Sequence, residues 1–175
     1  MGPTGVQNAG QSDITAIRSY RAADRNACIK VFYRAVREGT KAFYDQAQRT
    51  AWAPTDTPHP DKPDKLLDQW CWVAEAGGTI TGFMSLDRQG YLDMAFVLPE
   101  VMGNGTAGAL YDALLQRARS ERFPRLTAHA SHLARRFFEK RAWKVDYKEE
   151  FAASGQVYER FHMSLDRGAE DDASL

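Results

Sequence analysis

A loop that carries three glycines limits the folds open to this chain more than any other segment. The loop, residues 102–108, has the sequence Met-Gly-Asn-Gly-Thr-Ala-Gly and follows the apolar stretch Tyr91–Val97. Beyond it, Leu110, Leu114 and Ala118 recur at helical spacing. A helix that starts here leaves its first N–H groups free, and glycines let a bulky anion approach them. The unit predicts a pyrophosphate site, although such glycines also form simple turns and caps.

Two better-known glycine motifs do not fit this loop, which we call the glycine loop. Gly103-x-Gly105-x-x-Gly108 spells a dinucleotide fingerprint, but that motif needs its glycines at the strand end and an acidic residue about 20 positions later. Here residues 98–102 intervene, and the next predicted strand ends in His129-Ala130-Ser131, without a carboxylate. The phosphate-loop motif fails because no Gly-Lys-Ser/Thr follows the first glycine. A Rossmann fold is therefore disfavoured.

Length and charge restrict the class of protein. The chain has 175 residues, of which 43% are hydrophobic, enough for one packed domain, which we place at 13–166. Lys plus Arg and Asp plus Glu both number 23, so no excess charge attracts nucleic acid or anionic lipid. No apolar run approaches the roughly 20 residues of a membrane span. We expect a soluble cytoplasmic protein, with polar residues 1–12 and 167–175 forming disordered tails.

The remaining periodic segments surround the glycine loop. A proline-rich loop, 53–63, and turn residues at Gly77-Gly78 and Ser154-Gly155 separate them. Helices are predicted over 27–36, 45–52 and 132–140, with Ser131 as an N-cap, and strands over 14–20, 71–76, 79–86, 91–97, 126–130, 143–151 and 157–165. This order is typical of an α+β domain with a mostly antiparallel sheet.

The segments on both sides of the glycine loop match a known pattern. Val97-Leu98-Pro99 precedes the loop, and downstream Ser131 precedes Ala134-Arg-Arg-Phe-Phe-Glu-Lys-Arg-Ala-Trp143. The chain thereby resembles the GNAT superfamily of acyl-CoA-dependent N-acetyltransferases over roughly residues 14 to 165. That family has Val-x-Pro, then Arg/Gln-Gly-x-Gly-x-Gly/Ala and a long helix, and later a polar residue and Ala-x-x-x-Tyr-x-x-x-Gly-Phe.

The resemblance implies a fold and a cosubstrate. The fold is a mixed, mostly antiparallel twisted sheet flanked by helices and splayed between the fourth and fifth strands. The cosubstrate is acetyl-CoA, with no metal; His129 and His132 have no third ligand candidate beside them. The residues implied to bind acetyl-CoA are Phe96, Val97, Met102, Gly103, Asn104, Gly105, Thr106, Ala107, Ser131 and Phe138.

Three positions depart from the family pattern. Met102 stands where Arg or Gln is usual, and Ala142-Trp143 replaces Gly-Phe. Because backbone amides hold the phosphates, the loss at Met102 should cost about 1.5 to 3 kcal/mol, the contribution of one hydrogen bond to a charged group. Phe138 replaces the tyrosine often assigned as general acid, which predicts slower or differently assisted chemistry, with water, Tyr111 or His132 as candidate substitutes.

Candidate residues for the acceptor side follow from position. Asp93 lies on the strand expected to line the cleft and is our candidate base, although an aspartate at a sheet edge is as often solvated or bonded to a cap. Tyr91 and Glu75 are weaker candidates. The first two helices wall the acceptor site in the family, which makes Tyr33 and Tyr44 candidate substrate contacts.

We therefore expect an N-acetyltransferase that moves an acetyl group to a primary amine of a small molecule or peptide by direct attack in a ternary complex. By analogy with the family, we also expect a homodimer. One alternative is a non-catalytic acyl-CoA-binding or sensor module that lost its acid at Phe138. A dinucleotide-binding oxidoreductase is the third hypothesis.

Overall fold

Seven strands form one sheet in the computed structural model, which describes residues 15–168. The strands are β1 Ala16–Ser19, β2 Trp70–Ala76, β3 Thr79–Leu86, β4 Tyr91–Val97, β5 Arg125–Ala130, β6 Lys144–Ala153 and β7 Gln156–Asp166. The helices are α1 Arg25–Arg37, α2 Gln46–Trp52, α3 Thr106–Ser120 and α4 His132–Glu139. In the order β1-β2-β3-β4-β5-β7-β6 only β4–β5 is parallel. The predicted α+β class, with a mostly antiparallel sheet flanked by helices, is confirmed.

Strands β4 and β5 separate soon after they meet. Their ladder consists of two pairs, Tyr91 with Thr127 and Leu92 with Ala128. From Met94 onward, β4 pairs with β3 on its other side, and a bulge beside Asp93 shifts that register. A bulge bends the strand that carries it. The predicted splay between the fourth and fifth strands is therefore confirmed, and it leaves one backbone edge of β4 unpaired.

Two hydrophobic clusters hold helices on opposite faces of the sheet. Leu110 and Leu114 of α3 pack with Leu92 of β4 and with Phe138 of α4, all nearly inaccessible to solvent. On the other face α1 packs through Val31 against β3 and β4. Alternate β4 side chains enter each cluster, as expected for a strand covered on both faces. Burial at β4 thus fixes α1 and α3 around the strand that borders the gap.

Helix α2 is short, and its local sequence sets both of its ends. Asp45 and Gln48 form a reciprocal capping box, in which each side chain accepts the other residue's backbone N–H. The helix ends at Trp52 because Ala53 precedes Pro54, and a residue before proline avoids helical backbone. No helix among residues 15–168 is long and apolar enough to cross a membrane.

The predicted tails lie largely beyond the described residues. Residues 1–12 and 169–175 are outside them. Arg167, which the sequence analysis assigned to the C-terminal tail, donates its backbone N–H to the carbonyl oxygen of Pro124 at 2.8 Å. Its guanidinium donates to the carbonyl oxygen of Phe123 at 3.1 Å. Hydrogen bonding to the domain therefore continues through residue 167.

A partly buried cluster of ion pairs joins the start of α1 to the sheet edge. Arg18 of β1 donates to both carboxylate oxygens of Asp24 at 2.8 and 2.9 Å and to Glu75 of β2 at 2.9 Å. The backbone N–H of Arg21 also donates to Asp24. The hydrogen bonds from Arg18 lower the pKa of the Asp24 carboxyl, outweighing the effect of its burial. Asp24 therefore stabilises the fold in its ionised form.

Replacing Asp24 tests this anchor. We expect Asp24→Asn to lower the free energy of unfolding at neutral pH by about 1.5 to 3 kcal/mol, the contribution of a hydrogen bond to a charged group. Because the folded-state pKa lies below the unfolded value of about 3.9, this stabilisation is full above that value and is lost as the pH falls through the folded pKa. Urea unfolding should show the difference from wild type shrinking in acid. A difference independent of pH would contradict the ionic origin.

Candidate active site

The glycine loop presents open space at the start of α3. Gly103 and Gly105 have φ angles of 80° and 92°, in the left-handed region that side chains avoid. Gly105 is the N-cap of α3, and apart from the adjacent residues no atom lies within 4 Å of where a Cβ on either glycine would stand. Packing within the protein therefore leaves this side of the loop uncovered, where a ligand can approach the backbone.

Asn104 and Thr106 hold the loop in shape. Oδ1 of Asn104 accepts from the backbone N–H of Thr106 at 3.0 Å and from its hydroxyl at 2.6 Å. Thr106 is buried, so both side chains serve the loop itself. The next N–H groups, of Ala107 and Gly108, precede the first internal bond of α3, which Ala109 donates to Gly105. With the positive end of the helix dipole behind them, these amides favour an anion.

A cavity of about 180 Å³, the inner cavity, runs from the glycine loop along β4 to α4. Seven of the ten residues predicted to bind acetyl-CoA line this cavity. The other three, Asn104, Gly105 and Thr106, complete the loop at its mouth. Its lining is Ala35, Thr40, Trp52, Met84, Ala95, Phe96, Val97, Met102, Gly103, Ala107, Ser131, Leu133, Ala134, Phe137 and Phe138. A narrow, mostly apolar passage next to an anion-binding turn suits a phosphorylated ligand with an extended arm.

The aromatic end of the inner cavity offers no acid from Phe138. The ring of Phe138 is 2% exposed and lies 4.8 Å from the ring of Trp143. Tyr111 accepts a 2.8 Å hydrogen bond from the indole N–H of Trp143, and His132 bonds Glu159 at 2.9 Å. Neither Tyr111 nor His132 is in the lining of the inner cavity. The two alternative acids of the sequence analysis therefore lie away from it.

A second cavity of about 300 Å³, the outer cavity, lies where β5, β6, β7 and α2 meet. Trp52 and Ser131 line both cavities, so the two spaces adjoin at these side chains. Most of its surface is apolar and aromatic. The lining is Tyr44, Ala51, Trp52, Tyr91, His129, Ser131, Phe151, Ala153, Ser154, Tyr158, Glu159 and Arg160. An organic molecule held there would face a ligand of the inner cavity across Trp52 and Ser131.

The structure separates the two predicted acceptor contacts. Tyr44 lines the outer cavity, where its hydroxyl accepts the backbone N–H of His132 at 3.3 Å. Tyr33 is outside the lining of both cavities, and its hydroxyl accepts from Arg37 at 3.3 Å. Only Tyr44 is therefore in a position to touch a molecule in the outer cavity.

The predicted base, Asp93, is also outside both linings. Its Oδ2 accepts from Nζ of Lys65 and from Nε2 of Gln69, each at 2.8 Å. Of the weaker candidates, Tyr91 lines the outer cavity, whereas Glu75 pairs with Arg18 at the sheet edge. The role of Asp93 stays a prediction, but its carboxylate is occupied by two donors and faces neither cavity.

His129 is a candidate proton acceptor that sequence reasoning missed. It lines the outer cavity, and its ring lies 4.0 Å from that of His162 and 5.2 Å from that of Tyr91. Desolvation, then the charges of His162 and Arg160, lower its pKa, and Glu149 opposes them. The imidazole is therefore neutral at neutral pH and can accept a proton. The signal that could have found it is the alternation of buried and exposed residues along β5. This alternation places His129, like Thr127, on the exposed face of the strand.

Charged groups in the outer cavity are paired within the protein. Glu159 accepts from Nζ of Lys148 and from His132, each at 2.9 Å. These partners, Lys148 foremost, lower the pKa of Glu159 and keep its carboxylate ionised. Arg160 donates to Glu149 at 2.7 Å. In the described part of the chain no group of three His, Cys, Asp or Glu side chains is arranged to hold a metal ion.

Comparisons with known proteins agree with this geometry. The sequence profile of the family described as Acetyltransferase (GNAT) domain matches residues 35–165. The chain is similar to the uncharacterized N-acetyltransferase YafP of Escherichia coli (strain K12), with 32% identity over 147 residues, 84% of this chain and 93% of YafP.

Solved structures share the fold. A GCN5-related N-acetyltransferase from Rhodopseudomonas palustris superposes with a TM-score of 0.79 and 26% identity, covering 87% of this chain and 95% of that one. The PaiA N-acetyltransferase of Thermoplasma acidophilum, solved in complex with coenzyme A, superposes with a TM-score of 0.71 and 16% identity, covering 88% and 99%.

A pair of glycine variants tests the loop as an anion site. Gly105→Asp places a carboxylate in the open space at the start of α3, and we expect it to abolish coenzyme A binding in titration calorimetry. Gly78→Asp, in the β2–β3 turn, is the matched control, because its φ is 77° and no atom lies within 4 Å of its Cβ position. Both changes carry similar backbone strain, so melting temperatures should fall alike. An unchanged affinity of Gly105→Asp for coenzyme A would exclude the glycine loop as the anion-binding site.

Proposed function

Because the chain belongs to the GNAT family of acetyltransferases, we propose that it transfers an acetyl group from acetyl-CoA to the primary amine of a small molecule or peptide. The amine attacks directly in a ternary complex. One observation carries the proposal: the inner and outer cavities share Trp52 and Ser131 beside the gap between β4 and β5. Two ligands can therefore be bound at once with their reacting ends adjacent.

The inner cavity fits acetyl-CoA in both shape and chemistry. The open face at Gly103 and Gly105 and the first amides of α3 are the groups that would hold the diphosphate. Along the gap, the unpaired edge of β4 at Phe96 and Val97 would hydrogen bond the pantetheine arm as an added strand does. A backbone N–H at this edge would stabilise negative charge on a carbonyl oxygen. Acetyl-CoA supplies a thioester already activated for attack, so no covalent intermediate on the protein is needed.

His129 is the group best placed to take the proton of the amine. An alkyl amine has a pKa near 10.4, so it is mostly protonated at neutral pH and must lose a proton before it attacks. His129 lines the outer cavity in neutral form, whereas Asp93 is bound by Lys65 and Gln69. The ionised Glu159 and the ring faces in the same lining attract the ammonium form that arrives.

The leaving thiolate needs little help from the protein. A thiol with a pKa of about 8.5 leaves readily without a proton. Phe138 has none to give, but Ser131 lies where the cavities adjoin. Its Oγ accepts the backbone N–H of Ala134 at 3.2 Å and retains its own proton as a donor. Ser131 is thus the hydroxyl that this arrangement offers at the junction.

Turnover separates the enzyme from the sensor alternative. We expect release of free thiol from acetyl-CoA to depend on a primary amine. Double-reciprocal plots should give intersecting rather than parallel lines, because both substrates bind before the reaction. A panel of small alkyl and aryl amines and short peptides is the measurement. Binding of acetyl-CoA without thiol release on any amine would favour the acyl-CoA sensor.

A matched pair of substitutions identifies the base. We expect His129→Gln to lower kcat/KM by about 10²- to 10⁴-fold, the usual contribution of a general base, with coenzyme A affinity unchanged. In wild type, kcat/KM should rise with pH through a pKa below the ordinary histidine value of about 6.5, and this limb should vanish in the variant. Asp93→Asn should retain wild-type turnover. The reverse pattern would assign the proton to Asp93.

A further inference from the structure

Arg141 follows α4 and lies against the first turn of α3. Its guanidinium carbon stands 3.6 Å from the ring centroid of Phe137, and its Nη1 donates to the carbonyl oxygen of Phe137 at 3.2 Å. A Cβ on Gly108 would lie 3.1 Å from Nη2. Gly108, the third glycine of the loop, therefore leaves room for this guanidinium. The anion-binding turn at Gly103 and Gly105 would not by itself require a glycine at position 108.

The placement is electrostatically unfavourable unless an anion is present. The N-terminus of a helix carries partial positive charge, so a cation at the start of α3 is repelled. Arg117 and Arg125 each pair with a carboxylate, whereas no carboxylate within residues 15–168 pairs with Arg141. Ring stacking and the end of α4 hold the guanidinium there. A phosphate group facing both the guanidinium and the helix amides would turn this repulsion into attraction.

We propose that Arg141 binds the diphosphate of coenzyme A and supplies the side-chain cation that is missing at Met102. This inference rests on the proposed function. Met102 occupies the position where the resembled family has Arg or Gln, and its exposed thioether lines the inner cavity. Arg141 approaches the same turn from α4, with Nη1 fixed on Phe137 and Nη2 beside Gly108.

Calorimetry with three ligands tests the contact. We expect Arg141→Met to weaken coenzyme A binding by about tenfold to a hundredfold, as the loss of a charge-assisted hydrogen bond does. Binding of 3′-dephospho-coenzyme A should weaken by the same factor, and pantetheine, which lacks phosphate, should bind as it does to wild type. Adding Met102→Arg returns a guanidinium to the loop and should recover part of the affinity.

Arg119→Met is the matched control, because it removes one positive charge from the exposed C-terminal end of α3, far from the glycine loop. Wild-type affinity in Arg141→Met, or an equal loss for pantetheine, would overturn the inference. So would an effect confined to ligands that carry the 3′-phosphate. Failure of the wild-type protein to bind coenzyme A would instead refute the proposed function, so the two failures are distinct.

Discussion

The parting of β4 from β5 is the constraint on which the rest of the site depends. A parallel pair normally continues for the length of both strands, but here it stops after two residue pairs. The unpaired edge of β4 would be costly if buried dry, because backbone N–H and C=O groups need partners. Burial of β4 side chains in two clusters prevents the strand from shifting to close the gap. The fold therefore maintains an edge that only a hydrogen-bonding ligand or water can satisfy.

The two ends of the inner cavity offer a ligand different kinds of interaction. At the glycine loop, backbone amides and the dipole of α3 favour charge, and the left-handed glycines keep side chains out of the way. At the other end Phe138 and its neighbours exclude water and offer shape. Binding of a charged group and positioning of a reactive end thus fall to separate segments of the chain. Either segment can change in sequence without loss of the other's contribution. Met102, which stands where the family usually has Arg or Gln, is such a change within the glycine loop.

Sequence patterns predicted most of the fold because each depends on local chemistry. The Gly77-Gly78 turn, the Ser131 cap and the helical spacing after the glycine loop all act within a few residues. The residues predicted from the contiguous glycine motif lie together at one cavity, whereas those predicted on separate strands and helices do not. The ring of His129 contacts Tyr91 of β4 and His162 of β7, and Asp93 is bound by Lys65, which is 28 positions earlier in the sequence. Contacts of this kind leave no periodic signal.

In the proposed reaction, Phe138 in place of the family's usual tyrosine leaves proton transfer on the acceptor side as the step that needs a protein group. Protonating the leaving group is the less difficult of the two proton transfers, because a thiolate is a stable anion near neutral pH whereas an alkyl amine stays protonated there. A chain that loses its acid but retains a base can therefore still react, and a chain that loses its base cannot. The outer cavity is built accordingly, since a neutral imidazole and an ionised carboxylate both lie in its lining. Loss of a hydroxyl at position 138 is thus compatible with catalysis.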